Sequence, residues 1–330
     1  MRRYILGVES TAHTFSVSVV SSDGKILSNT KSVYKPPEGS GIHPFEASQN
    51  HLAAAPRVVA DALEFSGVSM GELSAVAYAM GPGLGPCLRV GGVVARTLAS
   101  SLGIPLIPVN HAVGHIELGC LLTGSKDPVV LLVSGGHTMI LAYSSRRWRV
   151  LGESLDLTLG QLLDQFGRHH GLASPCGRAI EEAAGRSTNY LRLPYTVKGN
   201  DVSFSGLLTA SKVLLDGGRS FSDVSYSIQE TAFAMVTEVT ERALAFTGKK
   251  EVMIVGGVAA NKRLSAMMAS MVKRHLAKFK VMPLEYSGDC GAQIAWTGYL
   301  LSKSGVTIPV SKATVIQSWR LDSVDTPWRN

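Results

Sequence analysis

A short apolar strand, a polar turn and a returning hairpin occur twice in this chain, about 125 residues apart. The first copy runs through Leu6-Gly-Val-Glu-Ser-Thr11, a strand at 15–20, the turn Ser22-Asp23-Gly24 and a strand at 25–33. The second runs through a strand at 129–133, the turn Ser134-Gly-Gly-His-Thr138 and strands at 139–143 and 148–153. A supersecondary unit repeated at this scale predicts two duplicated domains with a cleft between them, where ligands prefer to bind. Thr123-Gly-Ser-Lys-Asp-Pro128, polar and rich in turn formers, falls between the copies and divides the chain into 1–127 and 128–330. A length of 330 residues also suggests two domains.

Each copy continues into alternating strands and helices. Helical spacing marks 45–66, 88–102 and 111–122 in the first half, with strands at 74–79 and 105–109. In the second half 179–186, 206–216, 222–247 and 261–275 read as helices, 251–255 and 279–282 as strands, and Ser287-Gly-Asp-Cys-Gly291 opens a helix to about 303. The expected class is layered α/β. With 45% hydrophobic and 17% charged residues, a disordered chain is excluded. No apolar run approaches the 18 or so residues of a membrane span, and the stretch before Glu9 is too short for a leader. Four cysteines without a CxxC pair fit a reduced compartment, so a cytoplasmic location is expected, away from membranes. A net charge of +7 permits an anionic partner.

Chemistry concentrates at the ends of these strands. His111 and His115 stand four residues apart on one predicted helix, so both rings face one side and can reach a single metal ion. The residue after the first histidine is Ala112, where a thermolysin-type protease needs glutamate, so peptidase chemistry is poorly supported. Glycine turns follow apolar strands at Gly81, Gly83 and Gly85, at Gly135 and Gly136, and at Gly256 and Gly257. Such turns expose backbone N–H groups to phosphate, although none matches a Walker loop or a strict GxGxxG. Carboxylates at strand ends or helix starts are Glu9, Asp156, Asp164, Glu181 and Asp289; the plain reading of Asp289 is a helix cap. Lys198-Gly-Asn-Asp-Val-Ser-Phe-Ser-Gly206 suits contact with an RNA backbone.

Taken in order, Gly7-Val-Glu-Ser-Thr-Ala-His-Thr14, Gly41-Ile-His-Pro44 with His51, Gly81-Pro-Gly-Leu-Gly-Pro86, Asn110-His-Ala-Val-Gly-His115, Val133-Ser-Gly-Gly-His-Thr138, the segment 194–206, Val255-Gly-Gly-Val-Ala-Ala-Asn261 and Gly288-Asp-Cys-Gly-Ala292 resemble the tRNA N6-adenosine threonylcarbamoyltransferase family over essentially the whole chain. Within it the resemblance is to the archaeal and eukaryotic branch, the catalytic subunit of the KEOPS complex. It implies two ribonuclease-H-like domains of the actin, heat-shock chaperone and sugar-kinase superfamily flanking a central cleft. It implies that His111, His115 and Asp289 hold one divalent ion, Fe2+ or Zn2+. It further implies that Ser134, Gly135 and Gly136 line the phosphate of an ATP/AMP-type nucleotide, Asp164 and Glu181 reach its ribose, and Gly177 and Asn261 border its adenine. The implied reaction moves threonylcarbamoyl from threonylcarbamoyl-AMP to N6 of adenosine 37 in tRNAs reading ANN codons. Catalytic roles fall on His111 and His115, with Glu9 orienting a substrate group. The implied partners are tRNA, a Bud-type kinase/ATPase and a small dimerising subunit on the N-terminal domain.

The chain departs from the archaeal pattern at Leu132, where many relatives carry a tyrosine ligand, at His137, and at Cys176 and Cys290. Two other readings compete with the transferase, an ATP-binding member related to sugar kinases and a nucleotide-gated scaffold. Arg146, Arg147, Arg149, Lys198, Lys262 and Arg263 are candidates for the RNA path.

Overall fold

A computed structural model describes residues 3–37 and 40–329. The first two residues, on which the leader argument partly rests, lie outside these. The first half contains β1 (Tyr4–Glu9), β2 (Thr14–Ser21), β3 (Ile26–Val33), α1 (Pro44–Ser66), β4 (Leu73–Gly81), α2 (Gly85–Leu102), β5 (Leu106–Asn110) and α3 (His111–Thr123). The second half begins with β6 (Val129–Val133), β7 (Thr138–Ser144), β8 (Arg147–Glu153), α4 (Leu159–His169), α5 (Gly177–Ala184), β9 (Val197–Lys198), β10 (Asp201–Val202) and α6 (Ser205–Asp216). It ends with α7 (Phe221–Thr247), β11 (Glu251–Val255), α8 (Lys262–Arg274), β12 (Lys278–Val281), α9 (Leu284–Ser287) and α10 (Gly291–Lys303).

The strands form two five-stranded sheets, ordered β3-β2-β1-β4-β5 and β12-β11-β6-β7-β8. Each opens with an antiparallel meander and adds two parallel strands on the far side of its first strand. The two sheets therefore match strand for strand, which is the repeat expected from the sequence. In each sheet the direction of winding reverses between the first strand and its parallel neighbour. Carboxyl ends at such a switch point leave a crevice for ligands. Glu9, Asn110, Val133 and Val255 close β1, β5, β6 and β11 at those ends.

Between the sheets lies α3. Every residue from His111 to Cys120 is buried, so this helix has no solvent face and reads as apolar all round. Its Ala112, Ile116 and Leu118 share one core with Leu132 and Leu141 of the second sheet and with Ile294 and Ala295 of α10. Separate cores fill the outer faces of the two sheets. The C-terminal helix α10 packs back against β1, β2, β4 and α3 of the first half. That approach is close enough to require glycine: a Cβ at Gly7 would lie 2.3 Å from the Ala295 backbone nitrogen and 2.4 Å from Gly291 O. A last tie is Arg329, whose guanidinium meets the buried Glu117 carboxylate of α3 at 2.7 and 3.0 Å and lies over the Trp148 ring.

Two helices were not legible as such, α4 and the one-turn α9. Residues 159–169 form α4, opened by a capping box between Thr158 and Gln161, and its apolar side, Leu159, Leu162, Leu163 and Phe166, is buried. The reading at 179–186 is displaced to Gly177–Ala184, because the chain turns into the helix directly after Cys176. Replacing Gly7 by alanine is expected to lower stability by about 2 kcal/mol or more, since backbone on α10 must move. Denaturant midpoints of the two proteins measure this, and an unchanged midpoint would show that α10 is not packed as described.

Candidate active site

His111 opens α3 because Asn110 caps it, its side-chain oxygen accepting from the N–H groups of Ala112 and Val113 at 3.0 and 3.2 Å. The first imidazole is thus anchored at the end of β5 and the second follows one turn on. Asp289 comes from 174 residues further along the chain and meets both rings. Its Oδ1 lies 3.2 Å from His115 Nε2 and 3.6 Å from His111 Nε2. The plain reading of Asp289 as a helix cap does not hold: Cys290 occupies the cap position of α10, whose first N–H, that of Gly291, donates to Ser16 Oγ.

The spacing fits a cation. Metal–nitrogen and metal–oxygen bonds of about 2.0–2.2 Å in tetrahedral geometry place neighbouring donors about 3.4 Å apart. The three donor atoms all lie within 4.8 Å of one another. The other nitrogen of His111 is held from behind. Glu9 Oε2 lies 2.8 Å from Nδ1, Gln293 Nε2 3.0 Å and Thr11 Oγ1 3.3 Å. The carboxylate at Nδ1 fixes a proton there, which leaves Nε2, on the Asp289 side, as the nitrogen a cation would take. Glu9 is itself fully buried and also accepts from the Thr11 N–H at 2.7 Å.

Charge follows from this packing. Burial opposes a charged His111, but the Glu9 and Asp289 carboxylates outweigh it and raise its pKa to about 9, so a cation bound at Nε2 would have to displace a proton there. Burial lowers that of His115, the hydrogen bond to Asp289 only partly offsetting it. His137, stacked on His111 with ring centroids 6.1 Å apart, is pushed down to about 3 by burial and by its two histidine neighbours. For Asp289 burial is outweighed by both histidines, which hold the carboxyl well below the usual range. Two carboxylates and two imidazoles buried together make a site whose missing charge is positive.

The Ser134 turn closes on itself. Ser134 Oγ accepts from the N–H groups of Gly136 and His137 at 3.2 and 3.0 Å. A Cβ at Gly135 or Gly136 would meet nothing within 4 Å, so a ligand has open approach to this backbone. The remaining sequence candidates form a strip on α4, α5 and α8. Asp164 Oδ1 accepts from the Cys176 N–H at 2.7 Å, beside Gly177. Glu181, one turn along α5, accepts from the Lys262 N–H at 2.8 Å, beside Asn261. Asn261 caps α8 through Arg263 N–H and Leu264 N–H, and its amide donates to Gln229 at 2.9 Å. The first turn of α4 joins strip and turn, for Gly160 packs on Ser134 O and Gly135.

Leu132 points its side chain into the shared core and brings no donor. Burial pushes the Cys290 thiol up to about 12 and the Cys176 thiol to about 11, so both pack as neutral thiols. Asp156 accepts instead from the Ser203 hydroxyl and the Phe204 and Ser205 N–H groups, which fastens the 194–206 segment. Sequence reasoning passed over Gln293. Its signal was present, since it stands four residues after Asp289, one turn into α10.

Ala substitution of His115 or Asp289 is expected to reduce bound divalent metal at least about 100-fold, whereas Cys290→Ser leaves it unchanged. Metal content after equilibration with zinc or ferrous ion measures this. Equal loading of all three variants would remove the site.

A family model for tRNA N6-adenosine threonylcarbamoyltransferase matches residues 25–296. A tRNA N6-adenosine threonylcarbamoyltransferase of Caldivirga maquilingensis is 51% identical over 98% of this chain and 98% of its own length. One of Thermofilum pendens is 48% identical over 99% and 97%. A probable bifunctional tRNA threonylcarbamoyladenosine biosynthesis protein of Methanothermobacter thermautotrophicus is 49% identical over 98% of this chain, which spans 60% of that longer protein. Among solved structures, T. kodakarensis HypF superposes with a TM-score of 0.64 at 14% identity, over 92% of this chain and 48% of that one. The activator of 2-hydroxyisocaproyl-CoA dehydratase from Clostridium difficile gives 0.55 at 13%, over 94% and 99%. These likenesses show a shared fold alone, and the relatives' names do not favour the kinase-like or scaffold alternatives. From its sequence matches the chain belongs to the tRNA N6-adenosine threonylcarbamoyltransferase family, whose members are transferases.

Proposed function

We propose that this transferase moves the threonylcarbamoyl group from threonylcarbamoyl-AMP to N6 of adenosine 37 in tRNAs that read ANN codons, in the cleft between the two sheets. The observation that carries the reading is the meeting of Asp289 Oδ1 with His111 Nε2 and His115 Nε2 at 3.6 and 3.2 Å. A divalent ion there, iron or zinc, would supply Lewis acidity and positive charge. His111, His115 and Asp289 would be its protein ligands. The donor is a mixed anhydride and already activated, so no protein nucleophile is required of the chain.

The protein's own residues then bind and position. Glu9, Gln293 and Thr11 lock the His111 ring and keep Nε2 directed at the cleft; Glu9 is a positioning residue, sealed from substrate by its burial. The open backbone at Gly135 and Gly136 receives the adenylate phosphate. Backbone dipoles at that turn oppose the charge that builds on the departing AMP. Asp164, Gly177, Glu181 and Asn261 line the wall for the nucleoside. The adenine amine is a weak nucleophile, so the catalytic gain comes from holding it against the carbonyl with its base turned out of the loop stack. No helix among the described residues is long and apolar enough to cross a membrane, and we place the enzyme in the cytoplasm. The bifunctional name of the Methanothermobacter relative supports pairing with a second activity, which we assign to a Bud-type kinase/ATPase and a small dimerising subunit of the KEOPS type.

Transfer of labelled threonylcarbamoyl from its adenylate to tRNA, by the purified chain with and without these companions, tests the reading. A chelator, His111→Ala or His115→Ala is expected to reduce transfer at least about 100-fold with adenylate binding kept, and Glu9→Gln about 10–100-fold. Transfer that survives both histidine substitutions would overturn the role given to the metal.

A further inference from the structure

The far end of α4 carries chemistry that the reaction above does not use. Arg168 and His169, in its last turn, line an open cavity of about 280 Å³ with Gln165 of the same helix and Lys212 of α6. Some arginines elsewhere are neutralised: Arg147 pairs with Asp325 at 2.6 Å, Arg263 with Glu230 at 2.5 Å and Arg320 with Asp322 at 3.1 Å. Arg168 and Lys212 have no ion-pair partner among the described residues. The Arg168 Nε is buried and bonded to nothing. The carboxylates near this cavity are already engaged. Asp216 accepts from His169 at 2.7 Å, and Asp164, one turn back on α4, accepts from the Cys176 N–H.

The place of the cavity matters as much as its charge. It sits one helical turn from Asp164, hence at the outer end of the strip assigned to the nucleoside. Across from it comes the loop before α1, where a Cβ at Gly41 would stand 3.2 Å from Arg168 Nη1. An ammonium and a guanidinium left unpaired at the rim, the latter with its Nε buried and without an acceptor, form a receptor for a tetrahedral oxyanion. A cavity open to solvent on one side admits an anion that belongs to a long chain.

We infer that Arg168 and Lys212, with Gln165 and His169 at the margin, bind a backbone phosphodiester of the RNA substrate and so hold its loop over the cleft. This inference rests on the functional reading above, because RNA is the polyanion which that reading brings to the cleft. Phosphate contacts of this kind set register and orientation and carry no sequence information.

Fluorescence anisotropy with an unmodified tRNA transcript, across a salt series, tests it in the full chain. Replacing both side chains, Arg168→Gln with Lys212→Gln, is expected to weaken binding about tenfold at 0.1 M salt. The slope of log affinity against log salt should fall by about 1–2. Arg168→Lys, which keeps the charge, should retain most of the slope, and Lys303→Gln on the exposed end of α10 should change nothing. The KM for the adenylate donor should be unaltered by the double substitution. Affinity and slope that match the unsubstituted protein overturn the inference, and so does a loss seen with a polyglutamate peptide but not with tRNA. The two readings fail separately. A chain that binds tRNA through these residues but transfers nothing to it refutes the reaction and leaves the phosphate site standing, whereas full transfer with salt-independent substitution refutes the site alone.

Discussion

Burying two imidazoles between two β-sheets is the constraint around which this molecule is built. A polar ring removed from water without partners costs several kcal/mol, and a charged one more. The chain meets that cost for His111 with Glu9 at the end of β1, which accepts from Nδ1, while Gln293 of α10 donates to the same Glu9 oxygen and Thr11 packs beside the ring nitrogen. The same act orients the ring. Solvation of a buried group and preparation of a ligand are here one arrangement, and disturbing any of the three partners loosens both.

That arrangement explains why α10 must lie so close to β1. Gln293 reaches Glu9 and His111 only if the helix sits directly on the strand, and Gly7 and Gly291 are the residues that allow it. Asp289 is carried into place by the same helix, two residues before its first turn. The second sheet contributes Leu132 and its neighbours to the core around α3, and its Ser134 turn presents backbone in the same crevice. Each wall of the cleft therefore depends on the other for packing as well as for chemistry.

The two ends of α4 differ in what they pack against and in charge. Its N-terminal turn packs under Ser134 and Gly135, and its middle carries Asp164. Arg168 at its C-terminal turn lies beyond that strip without an ion-pair partner among the described residues, whereas Arg147, Arg263 and Arg320 are paired. The sequence-based candidates Arg147 and Arg263 illustrate the difference: both are tied to carboxylates. Charge in a sequence counts residues, while only the fold reveals which of them remain uncompensated.

Local patterns in the sequence determined a good deal. Strand alternation, glycine turns and the repeat of hairpins at 4–33 and 129–153 set out two matching sheets, since the period of two and the turn chemistry are properties of neighbouring residues. The four-residue step between His111 and His115 likewise placed both rings on one side of a helix. What the tertiary structure decided are the meetings across long stretches of chain: Asp289 with the histidines, Gln293 with Glu9, Arg329 with Glu117, and the cavity shared by α4 and α6. These are set by which faces find burial together, a property of the whole core that no window of sequence contains.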